Sequence, residues 1–263
     1  MFEELYAPIP DAGTYLARIG LDAARFSPTA QGLCDLVQAH LTHVLFEAAD
    51  IWAKGAVPSL AVEDLFRKVV VERRGGFCFE LNSLFCALLK ALGYEAHMVI
   101  AHIVRGKDYL PVPTHCAVIC TVDGMAYYCD VGYGGPAPFG PVAYDGQFHH
   151  GFRIAAKGIY RVLEARREEG SPEAIIQYKD VPAQPVELLP LVFFTSQNPD
   201  SVFRTGFCAN ICLPGGSAAI RGGVFTLHDG STHIERPVEN RQDLKQLLAT
   251  YFRVDPEVLP MRD

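Results

Sequence analysis

A chain of 263 residues, nearly half of them apolar, is long enough for one large core or for two or three subdomains that share a cleft. Its net charge of −7 and the lack of any Lys/Arg run exclude a phosphate-tracking nucleic-acid surface, so an anionic partner has to be met locally. Its apolar runs are too short to span a membrane, and its dispersed cysteines and opening Met1-Phe2-Glu3-Glu4 lead to the expectation of a cytoplasmic protein with free thiols.

The first third reads as helices joined by short turns. One is predicted over Thr14 to Ile19. A second follows Ser27-Pro28-Thr29, with Leu33, Leu36, Val37, Leu41, Val44 and Leu45 on the 3.6-residue period. Val57-Pro58-Ser59 breaks the pattern and Val62 to Val70 resumes it. A further helix opens at Cys78 and ends at Gly93. Beyond it the period changes to that of strands: His97 to Val104, Cys116 to Val122 and Met125 to Asp130, the last two joined by a tight turn at Asp123-Gly124. Phe152 to Ala155, Tyr160 to Ala165 and Ala174 to Tyr178 are further strands. Glu187 begins a short helix or loop, more strands follow, and Arg241 to Phe252 makes a closing helix. The expected division is 1–93, a helical bundle; 94–195, an antiparallel barrel or sheet; and 196–263, an α/β segment.

The chemistry gathers at Arg73-Arg74-Gly75-Gly76-Phe77-Cys78-Phe79-Glu80-Leu81-Asn82. A thiol at the start of a helix faces the positive end of the helix dipole, which favours the nucleophilic thiolate. Further along, His115 opens a strand and Asp130 closes the next one. In a hairpin turning at Asp123-Gly124, Asp130 falls a diagonal step from His115. Singly, a buried cysteine, a core histidine and a turn aspartate are ordinary. In this order they form the nucleophile, proton carrier and orienting carboxylate of a Cys-His-Asp triad. His40 and His43 stand three apart on a helix, but with no third ligand in view no metal site is expected. The spacing within Cys116/Cys120 and Cys208/Cys212 fits packing on a strand face better than zinc.

These residues resemble the arylamine N-acetyltransferases. Arg74 to Asn82 is similar to that family's nucleophile motif, Thr114-His115 to its histidine strand, and Asp130-Val131-Gly132-Tyr133-Gly134-Gly135 to its aspartate and glycine-loop motif. The likeness extends to Tyr15-Leu16-Ala17-Arg18-Ile19-Gly20, to Asp200-Ser201-Val202-Phe203 and to the terminal Tyr251-Phe252. The resemblance implies an α+β fold: an N-terminal helical bundle, a central antiparallel β-barrel and a C-terminal α/β lid around a core like that of cysteine proteases and transglutaminases. It implies acetyl-CoA as co-substrate, with no permanently bound cofactor, and a ping-pong transfer of acetyl to an arylamine, arylhydrazine or arylhydroxylamine through acetyl-Cys78. By resemblance Thr114, Gly132, Gly134, Gly135 and Ser201 lie near coenzyme A, and Phe46, Phe77, Tyr133 and Phe203 line the acceptor pocket. Glu47 and Arg74 form a supporting ion pair. The alternative is a relative using another acyl thioester, such as an amide synthase acting on a carrier-bound acyl group.

The chain departs from the family where Pro-Phe-Glu-Asn is usual. It has Leu45-Phe46-Glu47-Ala48 there. Both changes are expected beside the acceptor pocket, with consequences for amine preference rather than for catalysis.

Overall fold

The computed structural model describes residues 2–262. Helix α1 (Ala12–Arg18) is capped by Asp11, whose carboxylate accepts from Thr14 N, and α2 (Ala30–His43) by Thr29, whose hydroxyl accepts from Gly32 N. A two-residue strand β1 (Phe46–Glu47) precedes α3 (Ala49–Lys54) and α4 (Val62–Phe66). The helix expected through Val70 is present, but Arg67–Val71 widens into a π turn, with Glu72 N reaching back to Arg67 O. Helix α5 (Cys78–Ala91) is the central element. Its Leu81, Leu84, Phe85, Leu88 and Leu89 are fully buried, each stabilising the fold by about 1.5–3 kcal/mol.

Strands β2 (Glu95–Ile103), β3 (His115–Val122), β4 (Met125–Cys129), β5 (Val142–Ala143), β6 (Phe152–Lys157), β7 (Tyr160–Ala165) and β8 (Glu173–Tyr178) pair antiparallel in the order β5-β4-β3-β2-β8-β7-β6. The edges β5 and β6 approach each other without a ladder, so the sheet curls into a nearly closed barrel. Asp123 and Gly124 both take positive φ, 50° and 77°, as a two-residue hairpin turn requires. That turn sets the register, pairing Val122 with Met125 and Val118 with Cys129. One face of β3 packs on α5, while the other joins the barrel interior with Ile119, Tyr128, Leu163 and Ile176. Burial on both faces is why β3 reads as an unbroken apolar run.

Helix α6 (Pro185–Gln197) is longer than the short helix or loop expected from Glu187. Pro185 suits a first helical position, and burial of Leu188 and Val192 against the main core outweighs the hydrogen bond that Pro190 cannot make. After α7 (Val202–Thr205), strands β9 (Ala209–Leu213), β10 (Gly216–Arg221), β11 (Val224–Asp229) and β12 (Thr232–Pro237) form a second antiparallel sheet. It is covered by α8 (Arg241–Tyr251) over a core that includes Ile211, Phe225, Leu248 and Phe252. The outer edge of this sheet is β1, with Phe46 opposite Asn210 and Glu47 opposite Ala209. The N-terminal half is thereby stitched to the C-terminal part beside Cys78. Among the described residues no helix is long and apolar enough to cross a membrane.

Candidate active site

Cys78 is the first residue of α5 and only 3% exposed. Glu80 Oε2 accepts from Phe77 N at 3.0 Å, which fixes the turn into the helix and satisfies one of its orphan donors. The Cys78 sulfur lies 3.7 Å from the carbonyl oxygen of Thr114. His115 opens β3 opposite Ala101 of β2, and Asp130 follows the last residue of β4, so both stand just past the end of the β3–β4 ladder. His115 Nε2 meets Asp130 Oδ2 at 2.7 Å, which leaves Nδ1 as the ring nitrogen for the Cys78 thiol.

Asp130 is held from four directions. Its Oδ2 accepts from His115 and, at 2.8 Å, from the Tyr128 hydroxyl; its Oδ1 accepts from Asn82 Nδ2 and Gly132 N, both at 3.0 Å. Asn82 also donates to Cys116 O and accepts from Val131 N, tying α5 to both strands. Burial works against an ionised Asp130, but the His115 charge and these hydrogen bonds hold its carboxyl below the ordinary carboxylate value. For His115 burial also opposes the charged form. The Asp130 charge and hydrogen bond, reinforced by Cys78, outweigh it and lift the ring to about 10. A buried imidazolium bracketed by a thiol and a carboxylate can store a proton and give it up to a leaving group.

Asn82 and Tyr128 were given no role from the sequence, although both were legible. Asn82 is one helical turn beyond Cys78, and Tyr128 shares a strand face with Asp130.

Cys78 and His115 open onto a cleft of about 460 Å³, with Asp130 behind them. Of the residues expected at substrates, Phe46, Thr114, Gly132, Tyr133, Gly135, Ser201 and Phe203 line it. Phe77 does not line it. Its ring is fully buried between Phe79 and Phe203, with centroids 5.5 and 6.0 Å away, and so backs Phe203 from behind. Gly134 does not line it either. It takes φ 69°, and a Cβ there would strike the Phe46 ring, so the glycine serves close packing. A Cβ on Gly132 would stand 2.8 Å from Cys78 Cα, which explains that glycine by the approach of the loop to the helix. Leu45 and Ala48 also lie outside the cleft: Leu45 is buried in the core of the second sheet and Ala48 in the main core. These two departures from the family therefore fall in the packed cores and not on the lining of this cleft.

The cleft adds Ile103, Phe194 and two cations that the sequence did not single out. Arg221, at the end of β10, donates from Nη2 to Gly134 O at 3.3 Å, and Arg105 stands beside the Tyr133 hydroxyl. They come from distant parts of the chain, and no local pattern marks either one.

Beneath the site, Arg74 Nη2 donates to Glu47 at 2.9 Å and to Asp50 at 2.7 Å, the first being the expected pair. Lys68, brought in by the π turn, meets Glu80 at 2.8 Å and Asp50 at 3.1 Å. Burial opposes the Asp50 charge, but Lys68 and Arg74 hold its carboxyl below the usual range. His40, considered above as a ligand, is fully buried with Nδ1 2.9 Å from the Tyr15 hydroxyl, and burial takes its ring down to about 3.

The chain is similar to known proteins over most of its length. A family model described as N-acetyltransferase matches residues 29–258. An arylamine N-acetyltransferase of Mycolicibacterium smegmatis is 28% identical over 263 residues, covering 96% of this chain and 95% of its own. One of Mycobacterium bovis is 30% identical over 211 residues, covering 76% of this chain and 74% of its own. The structure of the Mycobacterium marinum arylamine N-acetyltransferase in complex with CoA superposes with a TM-score of 0.86 at 27% identity, covering 94% of both chains.

Proposed function

The chain belongs to the arylamine N-acetyltransferase family, and from that premise we propose how its own residues carry out the reaction. The enzyme transfers acetyl from acetyl-CoA to the nitrogen of an aromatic amine, hydrazine or hydroxylamine by a ping-pong route through an acetyl-cysteine. In this reading Cys78 is the nucleophile, His115 the proton carrier and Asp130 the residue that orients and charges the ring. The observation that carries the assignment is the 2.7 Å His115–Asp130 contact behind a helix-terminal cysteine at the floor of an aromatic cleft.

In the first half-reaction the Cys78 thiolate forms a bond to the thioester carbonyl carbon. The bond to the coenzyme A sulfur breaks, and His115 gives that sulfur its proton. Thioester exchange is nearly balanced, so the work of the site is to stabilise the tetrahedral oxyanion, for which the Cys78 N–H at the open first turn of α5 is one donor. In the second, the amine nitrogen attacks the acetyl carbon, Cys78 leaves as thiolate, and His115 takes the amine proton. The starting ion pair is thereby restored. An arylamine is weakly basic and largely unprotonated at neutral pH, so it attacks as it arrives.

Phe46, Tyr133 and Phe203 are assigned to the acceptor ring, each stacking contact contributing on the order of 1 kcal/mol. Thr114, Gly132, Gly135 and Ser201 are assigned to coenzyme A. Arg221 and Arg105 supply local positive charge for its phosphates on a chain that is acidic as a whole.

The test is intact-protein mass spectrometry after brief mixing with acetyl-CoA and no acceptor, with Cys78→Ala alongside. One acetyl gained by the wild type alone, and lost when 4-aminobenzoate or an arylhydrazine is added, is the expected result. No acetyl on the wild type would shift the donor to another acyl thioester.

A further inference from the structure

The two oxygens of Asp130 keep different company. Oδ1 takes Asn82 Nδ2 from α5 and Gly132 N from the glycine loop, both at 3.0 Å, and so ties the carboxylate to its surroundings. Oδ2 takes His115 Nε2 at 2.7 Å and the Tyr128 hydroxyl at 2.8 Å. The phenol therefore shares one acceptor atom with the catalytic ring.

Tyr128 reaches that atom from the barrel interior. It is fully buried, paired across the ladders with Ile119 and Val142, and its ring lies tilted on Tyr178 with centroids 5.5 Å apart. Two residues before Asp130, the strand period puts it on the carboxylate's side. Burial, and next the Asp130 charge, pushes the phenol well above its ordinary value, so it is a neutral donor wherever the reaction runs. Other groups stand near. Cys78 faces His115 from α5, the Tyr133 ring meets it edge-on at 5.7 Å with Arg105 beside the Tyr133 hydroxyl, and the Cys116 thiol turns to Cys78 O. On the other side of Tyr128, the Tyr178 hydroxyl bonds Tyr144 at 2.6 Å. Burial lifts Tyr133, Tyr144, Tyr178 and Cys116 above their ordinary values, so these four are neutral at pH 7.

Three donors, Asn82, Gly132 and His115, hold the carboxylate without the phenol. A fourth on the oxygen that faces the ring changes its charge more than its place. Hydrogen bonds into a carboxylate oxygen favour the ionised acid, and each donor takes part of the charge available to the next. We propose that Tyr128 is a positioning residue of the transfer, which draws charge from the oxygen that His115 uses and so keeps the imidazolium ready to give its proton to the leaving coenzyme A sulfur.

This inference rests on the acetyl-transfer reading above. In the first half-reaction His115 must part with a proton, and in the second it must take one. Loss of the phenol tightens the hold of Asp130 on the ring, which hinders the first step and not the second.

The test compares wild type with Tyr128→Phe, which removes one oxygen and keeps the ring, and with Tyr178→Phe, which breaks the Tyr144 bond in the same barrel interior without touching Asp130. In Tyr128→Phe the single-turnover rate of Cys78 acetylation is expected to fall about three- to tenfold, while removal of the acetyl by an arylamine is unchanged or faster. In a Cys78→Ala background the same change should raise the midpoint of the His115 ring titration by about half to one pH unit. The proton NMR signal of the His115–Asp130 hydrogen bond should move further downfield. Tyr178→Phe should match its parent throughout. If Tyr128 only holds Asp130 in place, its loss slows both half-reactions together and moves the ring midpoint down toward the ordinary histidine value. That pattern overturns the proposal, as does an unchanged midpoint, an unchanged acetylation rate, or the same shift in Tyr178→Phe. The ring titration needs no acyl donor, so it decides the matter even if the wild type takes its acyl group from another thioester.

Discussion

Cys78 and Glu80 stand two positions apart at the start of α5, so they leave the helix on opposite sides and enter two different buried polar clusters. On one side Cys78, His115, Asp130, Asn82 and Tyr128 form a hydrogen-bonded chain. On the other, Glu47, Asp50, Lys68, Arg74 and Glu80 form a knot of three carboxylates and two cations. Both are largely removed from water, where charge interactions are strong and unpaired charges costly. The difference is that only the first contains an imidazole, whose ordinary pKa near neutrality lets a proton move within reach of a nucleophile. In the second Lys68 and Arg74 stand among the carboxylates, no group has an ordinary pKa near neutrality, and the cluster serves to hold the helix start in place. Burial and charge alone do not make an active site; a group that can change its protonation state does.

That division is open to direct attack. The largest effect is expected from Cys78→Ala, which should abolish acetyl uptake in the mass measurement while leaving the circular dichroism spectrum unchanged. Asp130→Asn should lower the acylation rate by about 10³- to 10⁴-fold in single-turnover kinetics, because the ring loses both its orientation and the charge that stabilises its cation. Near-normal turnover there would remove the carboxylate from the mechanism.

The ion cluster should respond in the opposite way. Arg74→Ala leaves Glu47 and Asp50 short of a buried partner and is expected to cost about 3–5 kcal/mol of stability in denaturant unfolding. The fraction that remains folded should still acetylate Cys78 within a few-fold of the normal rate. Loss of chemistry without loss of stability would collapse the contrast between the two sides of α5.

A smaller effect is expected at Arg221, which bonds the glycine loop from the other sheet. Arg221→Gln should raise the acetyl-CoA KM by roughly tenfold with little change in kcat, as for a lost charge-assisted phosphate contact. S-acetylpantetheine, which lacks the diphosphate, should not distinguish the two proteins.

The mildest test is titration. His115 has its folded value raised to about 10 from an ordinary value near 6.5, so the folded state holds the proton more tightly than the unfolded chain. Its contribution to stability is complete below about pH 6.5 and is lost as the pH rises through about 10. Ring NMR signals should remain those of imidazolium through pH 9, and the Tm should fall between pH 7 and 10. In Cys78→Ala the ring loses one of the groups that lift it and should titrate lower. A ring that titrates near 6.5 in the wild type would mean that Asp130 does not control it.

What the sequence determined by itself was whatever depends on near neighbours. Helical periodicity and the caps at Asp11 and Thr29 mark α1 and α2, the glycine-led turn puts Cys78 at a helix start, and Asp123-Gly124 dictates the register that carries His115 toward Asp130. These are short-range preferences of backbone dihedrals and side-chain spacing, and they survive without knowledge of the fold. Tertiary structure decided the rest. It made α6 helical despite Pro190, buried Phe77 behind the cleft, packed Gly134 against Phe46, recruited Lys68 and Asp50 to the buried knot, and brought Arg105 and Arg221 to the same loop. Each of those outcomes depends on which distant surfaces bury one another, and burial energy is a property of the packed molecule that no local stretch of sequence contains.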